Sequence, residues 1–371
     1  MGIVLGVLST VVLPPFVPLV APRDSDGYTQ SFPLDDPDAI RAFFDQYGFV
    51  VIRDVLTAEE TETGVDTIWR SIEKPGKLER DKPETWTTFP SGAQVGMLGN
   101  FLPKDTFAWG LRQHPRLHQA YATVLNEEDL MVSLDRYGFM RPTKAVKMSD
   151  GTVVDKPEWQ SIAQWFHWDL NPWDYVLKDR LTEEEEKDYF TQENGNFYWA
   201  NELEALRLFV TENNQRPEAH FAGSYKVQGL VSLLDAPEDA GGFICVPGFH
   251  KYLHTWTRRN PKTTRASFVP LSSHTAMDVV SHAQKIPMRK GSVCIWNSRL
   301  PHCNFPNDNS QFRACFYVKM FPRRVLPTSL PGFMEARAKA LSTSLPEGFS
   351  ASELGVRLFG LDSLKSQDTA N

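Results

Sequence analysis

Two residues near the middle of the chain, His167 and Asp169, have the types and spacing that can hold a metal ion. They lie in the run Trp165-Phe166-His167-Trp168-Asp169. Residues i and i+2 of a β-strand point to one face, so an imidazole and a carboxylate project side by side. That is two-thirds of a 2-His-1-carboxylate facial triad, which leaves three positions open on a non-haem iron(II) ion. The pair alone says little, because His-x-Asp arises by chance in many chains. A third ligand and a partner for an anionic co-substrate must come from elsewhere.

The later part of the chain offers both. Gly291-Ser292-Val293-Cys294-Ile295-Trp296 is an apolar run that reads as a buried strand. It leads into a loop-like segment, Leu300-Pro301-His302-Cys303-Asn304-Phe305-Pro306-Asn307, with His302 as the candidate third ligand. Another strand follows from Gln311 to Lys319 and places Arg313 eleven residues after His302. Between the two halves lies Gly241-Gly242-Phe243-Ile244-Cys245-Val246-Pro247-Gly248-Phe249-His250-Lys251. Together these stretches resemble the phytanoyl-CoA dioxygenase (PhyH-like) family of Fe(II)/2-oxoglutarate oxygenases. That family carries an HxD pair, a Pro-Gly-Ser-His-Lys turn and a distal His followed by Arg. The resemblance runs from Asp38 to Pro322.

The resemblance implies a mainly β fold with flanking helices around a double-stranded β-helix (jelly-roll, cupin-like) core. It implies Fe(II) held by His167, Asp169 and His302, with 2-oxoglutarate and O2 as co-substrates, succinate and CO2 as products, and ascorbate supportive in vitro. Arg313 then has a physical task. A 2-oxoglutarate chelating iron leaves its far carboxylate buried, which is costly unless that group is paired, and a guanidinium offers a bidentate partner. Asn304 occupies a position where the family often has Ser or Thr bonded to the same carboxylate. Phe249 departs from the family's Ser in its turn, and His250 beside it reads as structural. Asp169 argues against a halogenase, which would leave that ligand position to chloride.

The implied activity is oxidation of a small, carboxylate-bearing metabolite, by hydroxylation or by desaturation or cyclisation. Trp165, Trp173, Arg258 and Lys319 are the candidate substrate contacts. Two alternatives stay open: an acyl-CoA hydroxylase of the same family, and a cupin-like metal hydrolase or isomerase that needs no 2-oxoglutarate. Arg313 separates the last from the others, since such an enzyme has no reason to bury an arginine.

Composition narrows the classes further. Across 371 residues the net charge is -7, and the pI is near 5.8. An acidic chain lacks the basic face that nucleic-acid binding needs. Four cysteines without CxxC spacing read as buried reduced thiols. The expected organisation is an N-terminal apolar arm or weak targeting segment (1–37), one oxygenase domain (38–325) with a helical insertion at about 174–224, and a helical tail (326–371) packed on it. The expectation is a cytoplasmic monomer. Residues 3–20 are apolar but hold Pro14, Pro15 and Pro18, and the first basic residue is Arg23. A packed arm, organelle targeting and a membrane anchor all remain readings of that stretch.

Taken in order, the chain reads as a helix from Asp38 with a stripe of Ile40, Phe43, Phe44 and Tyr47, ended by Gly48. A strand over Phe49–Ile52 follows, then a capping box over Thr57–Glu60. Residues 75–106 are irregular and aromatic (Trp86, Phe89, Phe101), either core anchors or a pocket lid. Leu130 to Phe139 reads as one strand that pairs with Thr143 to Met148. Lys178 to Glu193 is an acidic solvated stretch, and Val227 to Leu234 is a core strand. Arg258, Arg259, Lys262 and Arg265 are either a solvated patch or an anion site. Met334 to Leu341 reads as a helix.

Overall fold

The computed structural model describes residues 15–90, 93–98, 105–163, 165–173, 227–261, 269–271, 277–323 and 333–364. The expected insertion at 174–224, the acidic stretch, Phe101, Lys262 and Arg265 lie outside the described residues, as does most of the 3–20 segment.

The entry to the domain forms for local reasons. Asp36 caps the helix Pro37–Tyr47 by accepting from the Ala39 N–H, and Pro37 supplies a preset φ at its first turn. Gly48 ends it at φ 78°. A Cβ there would stand 2.4 Å from His250 Nδ1, so both backbone and space require glycine. Thr57 and Glu60 form a reciprocal capping box that opens the helix Ala58–Ile72.

Two sheets dominate the described residues. One has seven strands in the order Ser31–Phe32, Phe49–Ile52, Val293–Asn297, Val227–Ser232, Arg313–Val318, Tyr137–Met140 and Met97–Leu98. All its pairings are antiparallel except the first. The other runs Val269–Pro270, His167–Trp168, His302–Phe305, Gly242–Cys245 and Gln284–Lys285, antiparallel throughout. The strand Val227–Ser232 is buried at every position, as expected for a central strand covered on both faces. The architecture is mainly β with helices around it, as the motifs implied.

Two expectations change. The expected loop around His302 is a strand, His302–Phe305, paired with Gly242–Cys245. Pro301 and Pro306 flank it, and they gave the stretch its loop-like look. The four residues between them keep their N–H groups and complete a ladder. The expected strand Leu130 to Phe139 is broken into Leu130–Val132 and Tyr137–Met140, in different sheets. The buried Arg112 guanidinium takes the carbonyls of Ser133 and Asp135, which therefore leave the ladder. Val146–Lys147 pairs with Val153–Val154 instead.

Aromatic side chains of the 75–106 stretch anchor the outside of the larger sheet. The Trp86 ring lies 4.8 Å from that of Phe312, and Phe89 stacks on Phe139. At the chain's start, Phe16 packs edge-on against Phe249, and the Gln284 amide brackets Leu19 O and Ala21 N. Phe249 is fully buried and also touches Trp168 and Trp256. An aromatic residue in the turn thus joins residues near the N-terminus to the His167 strand, where a serine could not. Helices Phe333–Ser342 and Glu353–Phe359 dock through Arg337, whose guanidinium donates to the Phe359 and Val132 carbonyls. No helix among the described residues is long and apolar enough to cross a membrane.

Candidate active site

His167 and His302 stand directly opposite each other on neighbouring strands. Each histidine is oriented by the same local device. His167 Nδ1 lies 3.1 Å from the Trp165 carbonyl, and His302 Nδ1 lies 3.0 Å from the Leu300 carbonyl. A carbonyl only accepts, so each Nδ1 carries the proton, and each Nε2 presents a lone pair to the space between the rings. Burial holds His167 down to about 4, so the ring is neutral and able to ligate at pH 7.

Asp169 completes the cluster. The ligand atoms of His167, Asp169 and His302 all lie within 4.8 Å of one another. Asp169 Oδ1 is 3.5 Å from His167 Nε2, and Oδ2 is 3.8 Å from His302 Nε2. Donors that share a first-row ion at about 2.1 Å sit roughly 3 Å apart, so this spacing suits one small cation. The Asp169 side chain keeps 36% of its surface accessible and forms a wall of the site instead of being sealed in the core. Burial pushes its carboxyl up. The neighbouring His302 and His167 rings and the Lys319 ammonium outweigh that and hold it well below the usual carboxylate range. Lys319 Nζ lies 4.0 Å from Asp169 Oδ2.

Arg313 and Asn304 come from different sheets and meet through a third residue. Arg313 Nη1 donates to Tyr317 Oη at 3.2 Å, and Tyr317 Oη donates to Asn304 Oδ1 at 2.9 Å. Asn304 Nδ2 also donates to the Val95 carbonyl, so part of its donor capacity is spent inside the protein. Burial pushes the Tyr317 phenol up to about 12, so it remains a proton donor. The guanidinium is buried, yet its Nη2 has no hydrogen-bond partner among the described residues. An orphaned guanidinium nitrogen is costly and suits an anionic ligand. Gly138 makes room for it, since a Cβ there would fall 2.2 Å from Arg313 Nη1.

The substrate candidates separate. The Trp165 ring stacks on His167 at 4.7 Å, and its indole N–H is buried without a partner among the described residues. Lys319 stands beside Asp169. Trp173 instead spends its indole N–H on the Asn260 carbonyl and packs on Trp256. Arg258 is exposed on the helix Leu253–Arg259. His250 binds the Asp45 carbonyl, a structural contact. Two site residues were not anticipated, Tyr317 and Gln228. Strand parity with Arg313 carried a signal for Tyr317. Nothing local pointed to Gln228, whose amide donates to Asp169 Oδ2 at 2.7 Å.

Comparison with known proteins agrees with the motif reading. Residues 176–315 match the family model described as phytanoyl-CoA dioxygenase (PhyH), a span that holds His302 and Arg313 and starts just after His167 and Asp169. A Dictyostelium discoideum protein named "Putative phytanoyl-CoA dioxygenase" is 27% identical over 369 residues, covering 91% of this chain and 97% of that protein. Among solved structures, the hypothetical protein JW0805 of Escherichia coli aligns with a TM-score of 0.53 at 13% identity, over 89% of this chain and 85% of that one. GlcNAc Inducible Gene 2 of Candida albicans aligns with a TM-score of 0.51 at 12% identity, over 91% and 85%. At such identities these two structures speak for the fold alone. By class the protein is a non-haem iron, 2-oxoglutarate-dependent dioxygenase. Its resemblance is to the phytanoyl-CoA dioxygenase family.

Proposed function

We propose that His167, Asp169 and His302 hold one iron(II) ion, and that Arg313 and Tyr317 take the far carboxylate of 2-oxoglutarate, with Asn304 holding Tyr317 in place. The buried Nη2 of Arg313, without a partner among the described residues, carries this reading. A metal hydrolase or isomerase would leave that nitrogen without a task. The strand order supports a double-stranded β-helix: four strands of each sheet alternate so that the ladder Tyr137–Met140, Arg313–Val318, Val227–Ser232, Val293–Asn297 faces the ladder His167–Trp168, His302–Phe305, Gly242–Cys245, Gln284–Lys285.

When bound, the iron with 2-oxoglutarate and O2 supplies the oxidising power, and 2-oxoglutarate leaves as succinate and CO2. The chain's own residues orient and shield. The Trp165 and Leu300 carbonyls hold the two rings in the ligating tautomer. Trp296 and Phe243 pack against His302 at 5.3 and 5.9 Å and keep water from that flank. On the open side, the Trp165 indole N–H and the Lys319 ammonium suit a substrate carrying a carboxylate on an apolar body. The outcome is hydroxylation of that substrate, or desaturation or cyclisation begun by the same C–H abstraction. An acyl-CoA is the second reading, favoured by the name of the Dictyostelium relative.

Succinate release tests both. Purified protein with Fe(II), 2-oxoglutarate and ascorbate is assayed against small carboxylated metabolites in one arm and acyl-CoA thioesters in the other. Substrate-stimulated succinate in the first arm is expected. Stimulation only by thioesters assigns the second reading, and no 2-oxoglutarate turnover in either arm, nor binding of it, rejects the proposal.

A further inference from the structure

We infer that Gln228 is a positioning residue that restricts Asp169 to one ligating oxygen, an inference that rests on the metal-site reading above. Gln228 is buried on the strand Val227–Ser232 of the larger sheet, whereas Asp169 follows a strand of the smaller one. Its Nε2 donates to Asp169 Oδ2 at 2.7 Å, across the gap between the sheets. Its Oε1 accepts from Trp296 Nε1 at 2.9 Å. An indole N–H can only donate, so it decides which end of the amide faces it and leaves the NH2 end for Asp169. Trp296 thus fixes Gln228, and Gln228 fixes the carboxylate.

The consequence is one of counting. Two imidazoles and one carboxylate oxygen leave three positions on a six-coordinate iron, enough for a chelating 2-oxoglutarate and O2. A carboxylate binding through both oxygens would leave two, and the chelate would fill them. With Oδ2 engaged by Gln228 and approached by Lys319, Oδ1 is the oxygen free for the metal. Outer hydrogen bonds of this kind commonly change metal affinity or activity by about 10- to 100-fold.

The test uses Co(II) and Fe(II) alone on the full chain. Gln228→Leu should weaken Fe(II) binding by about 10- to 100-fold and shift the visible ligand-field bands of the Co(II) protein. Trp296→Phe keeps the ring packed on Phe243 and His302 but loses the N–H, and should shift the same bands less. Thermal melting confirms that each variant folds, and Trp296→Phe keeps the inference testable if Gln228→Leu does not. Wild-type metal affinity and wild-type Co(II) bands in a folded Gln228→Leu, or in a folded Trp296→Phe if Gln228→Leu does not fold, overturn the inference. Unchanged metal binding in His167→Ala would instead overturn the site reading beneath it.

Discussion

His167 and His302 are directly paired across two adjacent strands, with ring centroids 4.6 Å apart. Side chains on paired strands are held more precisely than a loop-borne ligand would be. The two imidazoles are therefore placed by the sheet before any ion arrives, with Asp169 directly after the His167 strand.

Because the sheet holds the ligands, removing one should cost metal and not the fold. His167→Ala and His302→Ala are expected to lose iron and turnover while melting within a few degrees of the wild type. Metal analysis beside a thermal melt reads this directly. Full iron content with full activity in either variant removes that residue from the ligand set.

On the proposed reading, Arg313→Met would strip the far carboxylate of 2-oxoglutarate of its partner. Breaking such a buried pair typically costs about 3–5 kcal/mol, or roughly two to three and a half decades in affinity. Iron binding should be kept. Arg313→Lys should recover only part of the loss, since an ammonium cannot match the planar fork. Anaerobic titration of the Fe(II) protein with 2-oxoglutarate, followed by its charge-transfer absorption, measures both, and an unchanged affinity in Arg313→Met sinks the anchor.

Tyr317→Phe deletes the hydroxyl that links Arg313 to Asn304. The ring stays, so packing survives, and the loss should be that of one hydrogen bond, about 0.5–1.5 kcal/mol. That is a few-fold to tenfold weaker 2-oxoglutarate binding in the same titration. A loss as large as that of Arg313→Met would mean that Tyr317, not Arg313, is the principal contact.

His250 makes stability depend on pH. Burial holds its imidazole down to about 4, against 6.5 for the exposed ring. Between these values the unfolded chain binds the proton and the folded one does not, so stability is full above about 6.5 and falls as pH drops towards 4. His250→Gln should flatten part of that slope in urea unfolding at pH 7 and pH 5. Identical slopes in variant and wild type would mean that His250 titrates normally in the fold.

Much of this protein is legible along the chain because the governing interactions are local. His167 and Asp169 stand two apart and both reach the site, although the strand ends at Trp168 and Asp169 lies just beyond it. Gly48 and the Thr57–Glu60 box bound their helices through neighbouring backbone groups, and Arg313 and Tyr317 share parity. What the local pattern could not contain is register and the meeting of two sheets. The His302 segment looks like a loop between two prolines and becomes a strand only because Gly242–Cys245 and His167 offer it partners. Trp173 and Arg258 look as eligible as Trp165 and Lys319, and only packing sends one to Trp256 and the other to solvent. Gln228 reaches Asp169, and Tyr317 joins Asn304 to Arg313, across the space between the sheets. A hydrogen bond acts over about 3 Å, so contacts between residues far apart in the chain exist only once the tertiary structure has set both sheets in place.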